Sequence, residues 1–373
     1  MRDLIVLWEE EVSDNRRRFV AIHSALKKLY STEPRGNLAR HLTTLAMLIS
    51  GIVGSKRVHL PAIASKIPTL TKVESRVKRF CRWIANERID FETYYLPCAQ
   101  QLLTSLADQT LVLIMDGSSV GRGCRTLMLS VVYKKRALPI AWLVARGSKG
   151  HFSETDHITL IKQAFNLLPE DADVMFLGDG EFDGIQLQTK IQAYDWKYVC
   201  RTALDTIINQ DSCSLTFEKL GVNPGERITL PQVTITRDQY GPVTAIAWWD
   251  DKYSDPIYLI SNLSILEEPC DWYKKRFTIE TLFSDQKSRG FHLHKSHLSD
   301  PQRLAQLMIA ACLGYIWMIY LGALAMQKGY NQIIHRTHRC DLSLFQLGLR
   351  LLEYLMNQEM EIPVAFNRLQ LVV

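Results

Sequence analysis

The feature that most constrains this chain is a change from helical to strand periodicity near residue 108. Five apolar runs typical of buried strands follow it, and helix-patterned segments at 157–168 and 184–194 precede the last two. This order of three strands, helix, strand, helix and strand predicts an α/β core with a mixed sheet. The predicted strands are TLVLIMD (110–116), RTLMLSVVYKK (125–135), ALPIAWLVA (137–145), DVMFLGD (173–179) and KYVCR (197–201).

The remaining segments of the 373-residue chain are arranged around this core. Residues 203–264 contain short alternating runs separated by Gly, Pro, Asn and Asp, which predicts a β-rich insertion. The other segments have helical patterns, including an amphipathic one at 342–358 that is a candidate dimer interface or a helix covering the core. We therefore predict a helical N-terminal region (1–105), a core in two parts (106–202 and 265–325), the insertion (203–264) and a helical C-terminal region (326–373).

Composition excludes several classes of protein. With 47% hydrophobic and 22% charged residues, the chain is neither disordered nor fibrous. None of its eight cysteines forms a C-x-x-C pair, so neither a disulfide framework nor a zinc ribbon is favoured. The apolar segment 305–325 is nearly long enough to span a bilayer, but a buried core helix has the same composition. We predict a buried helix and a cytoplasmic protein without a membrane partner.

A basic region lies in the N-terminal part of the chain. The segments 60–67 and 72–84 read as two short helices joined by a turn, and the spacing of Thr71 and Glu74 predicts that the second begins with a capping box. On that helix a basic face includes Lys72, Arg76 and Arg79. With the net charge of +5, this pattern favours contact with nucleic-acid phosphates, although a solvated face of a helical bundle would look the same.

Three acids stand where an α/β core would bring them together. Asp116 and Asp179 end the first and fourth predicted strands, and Glu280 lies on the helix that follows the insertion. Clustered carboxylates repel one another unless a cation is present, and hard divalent ions prefer carboxylate oxygens. Each acid alone has a plain explanation as a turn or surface residue. Together they predict a site for Mg²⁺ or Mn²⁺, with two ions able to support phosphoryl transfer.

The residues around Glu280 strengthen this prediction. On a helix spanning 271–289, Tyr273, Arg276, Glu280 and Lys287 would share a stripe roughly 60° wide, since a helix turns by 3.6 residues. Such a line of side chains would place phosphate-binding groups beside a metal-binding carboxylate. A salt-bridged surface helix would explain the charges but not the tyrosine.

The spacing Tyr273-x2-Arg276-x3-Glu280-x6-Lys287 resembles the Y-R-E-K signature of the IS-four family of bacterial insertion-sequence transposases, which are Tn-five-like. The resemblance implies a ribonuclease-H-like catalytic core, with an Asp-Asp-Glu triad at Asp116, Asp179 and Glu280. Gly180-Glu181 departs from the Arg-Gly that commonly follows the second Asp, which leaves Asp183 as an alternative to Asp179. We favour Asp179 because it ends the strand.

The resemblance also implies a reaction and its partners. The protein would cut the ends of its element, form a hairpin on double-stranded DNA with terminal inverted repeats, and join the ends to target DNA as a homodimer. Tyr273, Arg276 and Lys287 would bind DNA phosphates. The family places an aromatic residue of the insertion against a flipped base, for which Trp249, or Trp248 beside it, is the candidate.

Two other interpretations remain open at this point. A transposase-derived protein could bind DNA without cutting it, although its intact acids argue against that. A membrane-associated protein could use 305–325 as a span. An active DDE transposase, nucleoid-associated when bound to DNA, is the favoured hypothesis.

Overall fold

Among the described residues, ten strands form one mixed sheet. The structure, a computed structural model, describes residues 2–147, 152–211, 213–264, 268–336 and 341–366, and only the backbone of 2–13. The order in the sheet is β3-β2-β1-β4-β5-β10-β9-β8-β6-β7. The strands are β1 (Leu111–Val120), β2 (Cys124–Tyr133), β3 (Arg136–Arg146), β4 (Val174–Gly178), β5 (Lys197–Arg201), β6 (Ile207–Gln210), β7 (Cys213–Thr216), β8 (Arg227–Ile235), β9 (Tyr240–Trp248) and β10 (Ile257–Ser261).

Helices precede, connect and follow these strands. The helical pattern predicted for residues 1–105 is present as α1 to α6, and the two helices predicted between strands are α7 and α8. The helices are α1 (Arg2–Lys27), α2 (Gly36–Ser55), α3 (Leu60–Ser65), α4 (Val73–Trp83), α5 (Phe91–Tyr94), α6 (Leu96–Leu106), α7 (Glu154–Leu167), α8 (Ile185–Gln192), α9 (Pro269–Lys274), α10 (Thr278–Gln286), α11 (Pro301–Gln327), α12 (Asn331–Ile334) and α13 (Leu344–Asn357).

The strand directions follow from the connections. β1, β2 and β3 are joined by tight turns and pair antiparallel, and Gly121 and Gly123 take the positive φ that the first turn requires. α7 and α8 carry the chain back across the sheet, so β4 and β5 run parallel to β1. The strand pattern in the sequence therefore predicted both the order of elements and the mixed character of this part of the sheet.

The β-rich insertion extends the same sheet. β10 pairs antiparallel with β5, and β9, β8, β6 and β7 follow outward from it. The sequence predicted short strands in 203–264 but not where they attach. Backbone hydrogen bonds, rather than side-chain packing alone, thus connect the insertion to the strands of the core.

The long apolar helix α11 is buried among other elements. It packs against α2, α13 and β3. Of its most apolar stretch of 18 residues, 94% is buried, against 61% of the corresponding stretch of α2. These two helices are long and apolar enough to cross a membrane by length and composition. Core helices of soluble proteins satisfy the same test, and burial is what distinguishes them. The structure therefore agrees with the prediction of a buried helix, and the absence of a membrane partner stays a prediction.

Two glycines allow α11 and α13 to approach each other closely. A Cβ at Gly322 of α11 would lie 1.8 Å from the carbonyl oxygen of Leu344, and one at Gly348 of α13 would lie 1.9 Å from that of Met318. No side chain fits at such distances. The contact places backbone against backbone, and Phe345 packs in the same region against Phe291 and Tyr315.

Candidate active site

The register of the sheet places two of the predicted acids side by side. The parallel pairing of β1 and β4 is described up to Ile114 and Leu177, and two residues farther along each chain stand Asp116 and Asp179. Asp179 directly follows β4, as predicted. Asp116 does not end its strand, because β2 continues to pair with β1 as far as Val120. The pairing with the parallel strand β4 ends before this point, so at Asp116 the strand is paired on one side only, with β2.

The third acid comes from a helix that is not continuous. The predicted helix over 271–289 is instead α9, a 3-10 turn at Lys275–Phe277 and α10. The tighter turn changes the angles between side chains on either side of it, so the stripe is not that of one regular α-helix, although Arg276 and Glu280 still contact each other. Glu280 lies in the first turn of α10, and Ile279 beside it is fully buried under the helix.

All three acids contact the same guanidinium group. Nη2 of Arg276 lies 3.1 Å from Oδ2 of Asp116 and 2.8 Å from Oδ2 of Asp179, while Nη1 lies 3.2 Å from Oε1 of Glu280. The Arg276 side chain is 10% exposed, whereas that of Glu280 is 60% exposed. The predicted triad is thus assembled in space from β1, the end of β4 and α10, with an arginine at its centre.

Burial opposes ionisation of one of these acids. It raises the pKa of Asp116 to about 6, and repulsion from Asp179 and Glu181 acts in the same direction. Arg276 and the backbone N–H of Gly117, which donates to Oδ1 at 2.7 Å, lower this pKa and offset part of the effect. A positive charge near the triad is therefore needed to keep the group ionised at neutral pH.

The other residues of the predicted signature also lie near the triad. Lys287 follows α10, and its Nζ donates to Oγ of Ser118 at 2.5 Å, just past Asp116 on β1. Burial lowers the pKa of Lys287, and Asp116 raises it. Tyr273 is buried against Phe277; its pKa is raised to about 12 by burial, while Arg276 lowers it.

The position of Asp183 favours Asp179 as the second acid. Asp183 accepts a hydrogen bond from Oγ1 of Thr202 at 2.7 Å, on the neighbouring strand end, and has no described contact with Arg276. Asp179 contacts Arg276 directly. Neither acid is thereby shown to act in catalysis, but the choice of Asp179 agrees with the geometry.

Glu181, which the sequence marked only as a departure from the family's Arg-Gly, has a position in the site. Its Oε1 accepts from the backbone N–H of Phe152 at 2.6 Å and lies 3.3 Å from Nε2 of the buried His157. Its charge also reaches Asp116. The signal available was an acid two residues after Asp179, but the burial of His157 on α7 could not be read from sequence.

The two adjacent tryptophans differ in burial and in contacts, and stacking of either one on a DNA base stays a prediction. Trp248 ends β9 and is buried, with the ring of Tyr253 edge-on at 5.6 Å and Nζ of Lys274 at 5.2 Å from its ring centre. Trp249 is half-buried, and its Nε1 donates to the carbonyl of Tyr253 at 3.1 Å. Tyr253 also contacts Phe277 of the 3-10 turn, so Trp248 is connected to the turn that holds Arg276.

The basic helix of the N-terminal region forms, but its arginines bind within the protein. α4 begins after Lys72, so the predicted capping box at Thr71 is wrong, and Lys72 makes no side-chain cap hydrogen bond. Arg76 donates to the carbonyls of Ala64 and Thr69, and Nε of Arg79 donates to Oγ1 of Thr44 at 3.0 Å. These contacts stabilise the turn and the packing on α2. Contact of Lys72, Arg76 and Arg79 with DNA stays a prediction.

The donor set of the triad suits a divalent cation. Carboxylate oxygens are the ligands that Mg²⁺ and Mn²⁺ prefer, and a bound cation would lower the raised pKa of Asp116. In the described part of the chain no three His, Cys, Asp or Glu side chains are arranged close enough to form a complete metal site. Here the guanidinium of Arg276 lies between the carboxylates. Asp116, Asp179 and Glu280 would be the ligands of such an ion.

The sequence matches a known family over more than half of its length. Residues 103–317 match the family model described as Transposase DDE domain, so the chain belongs to the DDE transposases, a family of enzymes that cut and join DNA. No curated protein matches it. Among solved structures it is similar to a piggyBac transposase synaptic complex with hairpin DNA, determined by cryo-EM, at 12% identity and a TM-score of 0.47 over 95% of this chain and 82% of that one.

Proposed function

We propose that this chain is the transposase of a bacterial insertion sequence of the IS-four family, with a ribonuclease-H-like core. It would cut the ends of its element by metal-dependent phosphoryl transfer and join them to target DNA. The observation that carries the proposal is the convergence of Asp116, Asp179 and Glu280 on one guanidinium. Three separate elements bring these carboxylates together, although burial opposes ionisation of Asp116. Retaining a site that is unfavourable to the fold is typical of a catalytic centre.

The triad would hold Mg²⁺ or Mn²⁺, as two ions. Ions bound there would activate a water or a 3′ hydroxyl and stabilise the leaving oxygen. Lys287, whose ammonium lies beside Ser118 at the edge of the triad, would orient a phosphate. Tyr273 and Arg276 would bind DNA phosphates near the cleavage point. Asp179 also lines a cleft of about 840 Å³, together with Arg201 and the acids Asp205, Glu218 and Asp255.

The remaining parts of the proposal concern the DNA and the assembly. Residues 1–105 would bind terminal inverted repeats of double-stranded DNA, and Trp249 or Trp248 of the insertion would stack on a flipped base, with cleavage through a hairpin. Residues 326–373 would contribute to a homodimer that holds two ends together. The protein would act in the bacterial cytoplasm, associated with the nucleoid when bound to DNA.

A cleavage assay tests the proposal. The purified chain, with Mg²⁺ or Mn²⁺, is incubated with DNA that carries the inverted repeats flanking its own gene, and nicked, hairpin and joined products are resolved. We expect products from the wild type and none from Asp116→Ala, Asp179→Ala or Glu280→Ala. The exposed Asp171→Ala variant serves as the matched control and should retain activity.

Binding to the same DNA is measured in parallel. Retained binding by the three inactive variants would show that the acids serve the chemistry rather than the fold. If the wild type binds the repeats but never cuts them, the chain is a silent DNA-binding descendant of a transposase, and the enzymatic proposal is refuted.

A further inference from the structure

Arg276 occupies the centre of the acid triad, which is where a shared cation would lie. Its Nη2 contacts one oxygen each of Asp116 and Asp179, at 3.1 and 2.8 Å, and its Nη1 contacts Glu280. Those two carboxylate oxygens can be no farther apart than the sum of these distances. The guanidinium thus neutralises the same oxygens that a bridging divalent ion would use.

A guanidinium and a divalent ion cannot both use those oxygens in this arrangement. Mg²⁺ binds oxygen at about 2.0–2.1 Å, so an ion shared by these two oxygens would have to lie between them, where Nη2 of Arg276 stands. Resting on the proposed function, we propose that Arg276 holds the cation position in the DNA-free protein. We further propose that a DNA phosphate draws it away, so that divalent-ion affinity depends on DNA.

The surroundings of Arg276 are suited to such an exchange. It lies in the 3-10 turn between α9 and α10, and its buried Nε makes no hydrogen bond in the structure, so the side chain is held mainly by the carboxylates. Lys287, whose ammonium donates to Ser118 two residues past Asp116, adds positive charge that attracts a phosphate, whereas the ammonium of Lys275 lies over the ring of Trp272. A phosphate offers the guanidinium a planar pair of acceptors equivalent to a carboxylate.

The exchange has a thermodynamic consequence. If DNA removes a competitor of the metal, then DNA raises metal affinity, and metal raises DNA affinity by the same factor. The DNA-free protein would hold no ion in the triad at low divalent concentrations. Metal-dependent hydrolysis would then be confined to the protein–DNA complex.

Metal binding, measured without catalysis, tests the inference. Free Mn²⁺ is counted by electron paramagnetic resonance during titration of the DNA-free full chain. Arg276→Gln should bind Mn²⁺ about tenfold or more tightly than the wild type, a coupling within the usual range. Arg227→Gln is the control. It removes an exposed arginine of the insertion that is paired with Glu268, and its Mn²⁺ affinity should equal that of the wild type. A duplex containing the terminal repeats, with a DNA-only blank subtracted, should tighten Mn²⁺ binding in the wild type but not in Arg276→Gln.

Two further variants separate the possible failures. Arg276→Lys keeps the charge but cannot reach all three acids, so its Mn²⁺ affinity should lie between those of the wild type and Arg276→Gln; it also answers the question if Arg276→Gln does not fold. Unchanged Mn²⁺ affinity in folded Arg276 variants would overturn the inference. If Asp116→Asn binds Mn²⁺ as tightly as the wild type when the duplex with the terminal repeats is present, the acids are not the metal ligands and the proposed function itself fails.

Discussion

Replacing Asp116 by asparagine should stabilise the protein while it abolishes DNA cutting. The fold raises the pKa of this carboxyl from its ordinary 3.8 to about 6, which corresponds to a net cost of about 3 kcal/mol for the ionised form, with the attraction to Arg276 already included. Asparagine has the same shape, carries no charge, and can still accept the hydrogen bond from Gly117. Because the neutral amide avoids this net cost, we expect the free energy of unfolding at neutral pH to rise by about 1–3 kcal/mol.

The pH dependence gives this prediction its sign. A carboxyl whose pKa is higher in the folded protein contributes stability that is complete below the unfolded pKa of 3.8 and is lost as the pH rises through about 6. The wild type loses this contribution over that interval, and Asp116→Asn does not. The difference in stability between the two should therefore be small near pH 4 and reach its full value by about pH 7.

Urea unfolding in the presence of EDTA, followed by tryptophan fluorescence, measures both effects. The exposed Asp171→Asn variant controls for the loss of one negative charge and should follow the wild type across the pH range. Single-turnover cleavage, with divalent ion restored, should be lost in Asp116→Asn alone. A variant less stable than the wild type at neutral pH would refute the reasoning, because the ionised carboxyl would then be favourable to the fold.

Two further predictions concern packing and phosphate binding. Gly322→Ala should lower the free energy of unfolding by about 1–3 kcal/mol, because its Cβ would lie 1.8 Å from the carbonyl of Leu344. Gly314→Ala on the same helix, where the added Cβ would lie no closer than 3.4 Å to its nearest neighbour, should change the free energy of unfolding little. Equal effects of the two substitutions in urea titrations would contradict the prediction. Lys287→Met should slow single-turnover strand cutting by about tenfold or more, since its ammonium lies at the edge of the triad. A normal cutting rate with normal circular dichroism would exclude a role for that ammonium.

The sequence predicted much of the fold because its periodicity is clear. The strand KYVCR was placed at its observed bounds, Lys197–Arg201, and the apolar helix at 305–325 lies within the buried α11. The extension of β1 to Val120 was missed because its last part contains the polar stretch DGSS, which reads as a loop in the sequence. The attachment of β10 to β5 was missed because strand pairing across 50 residues or more depends on tertiary contacts.

The sequence singled out the acids that lie together, but not how they are arranged. Acids at strand ends and the Y-R-E-K spacing singled out Asp116, Asp179 and Glu280, and the structure brings them together. Spacing could not show that Arg276 points inward at all three, because the 3-10 turn before α10 has no clear signature. The inward contacts of Arg79 were equally hidden, since a basic helical face looks alike whether it meets solvent or a threonine on α2.

The unbroken ladder from β3 to β7 bears on how this molecule can move. Neighbouring strands joined by backbone bonds shift together, so β9, which ends at Trp248, is tied to the position of β4 rather than free to swing as a separate lobe. α9 and α10, by contrast, reach the sheet through side chains. Adjustment to an incoming duplex would then fall to this pair of helices, with the sheet as the fixed frame against which they rotate.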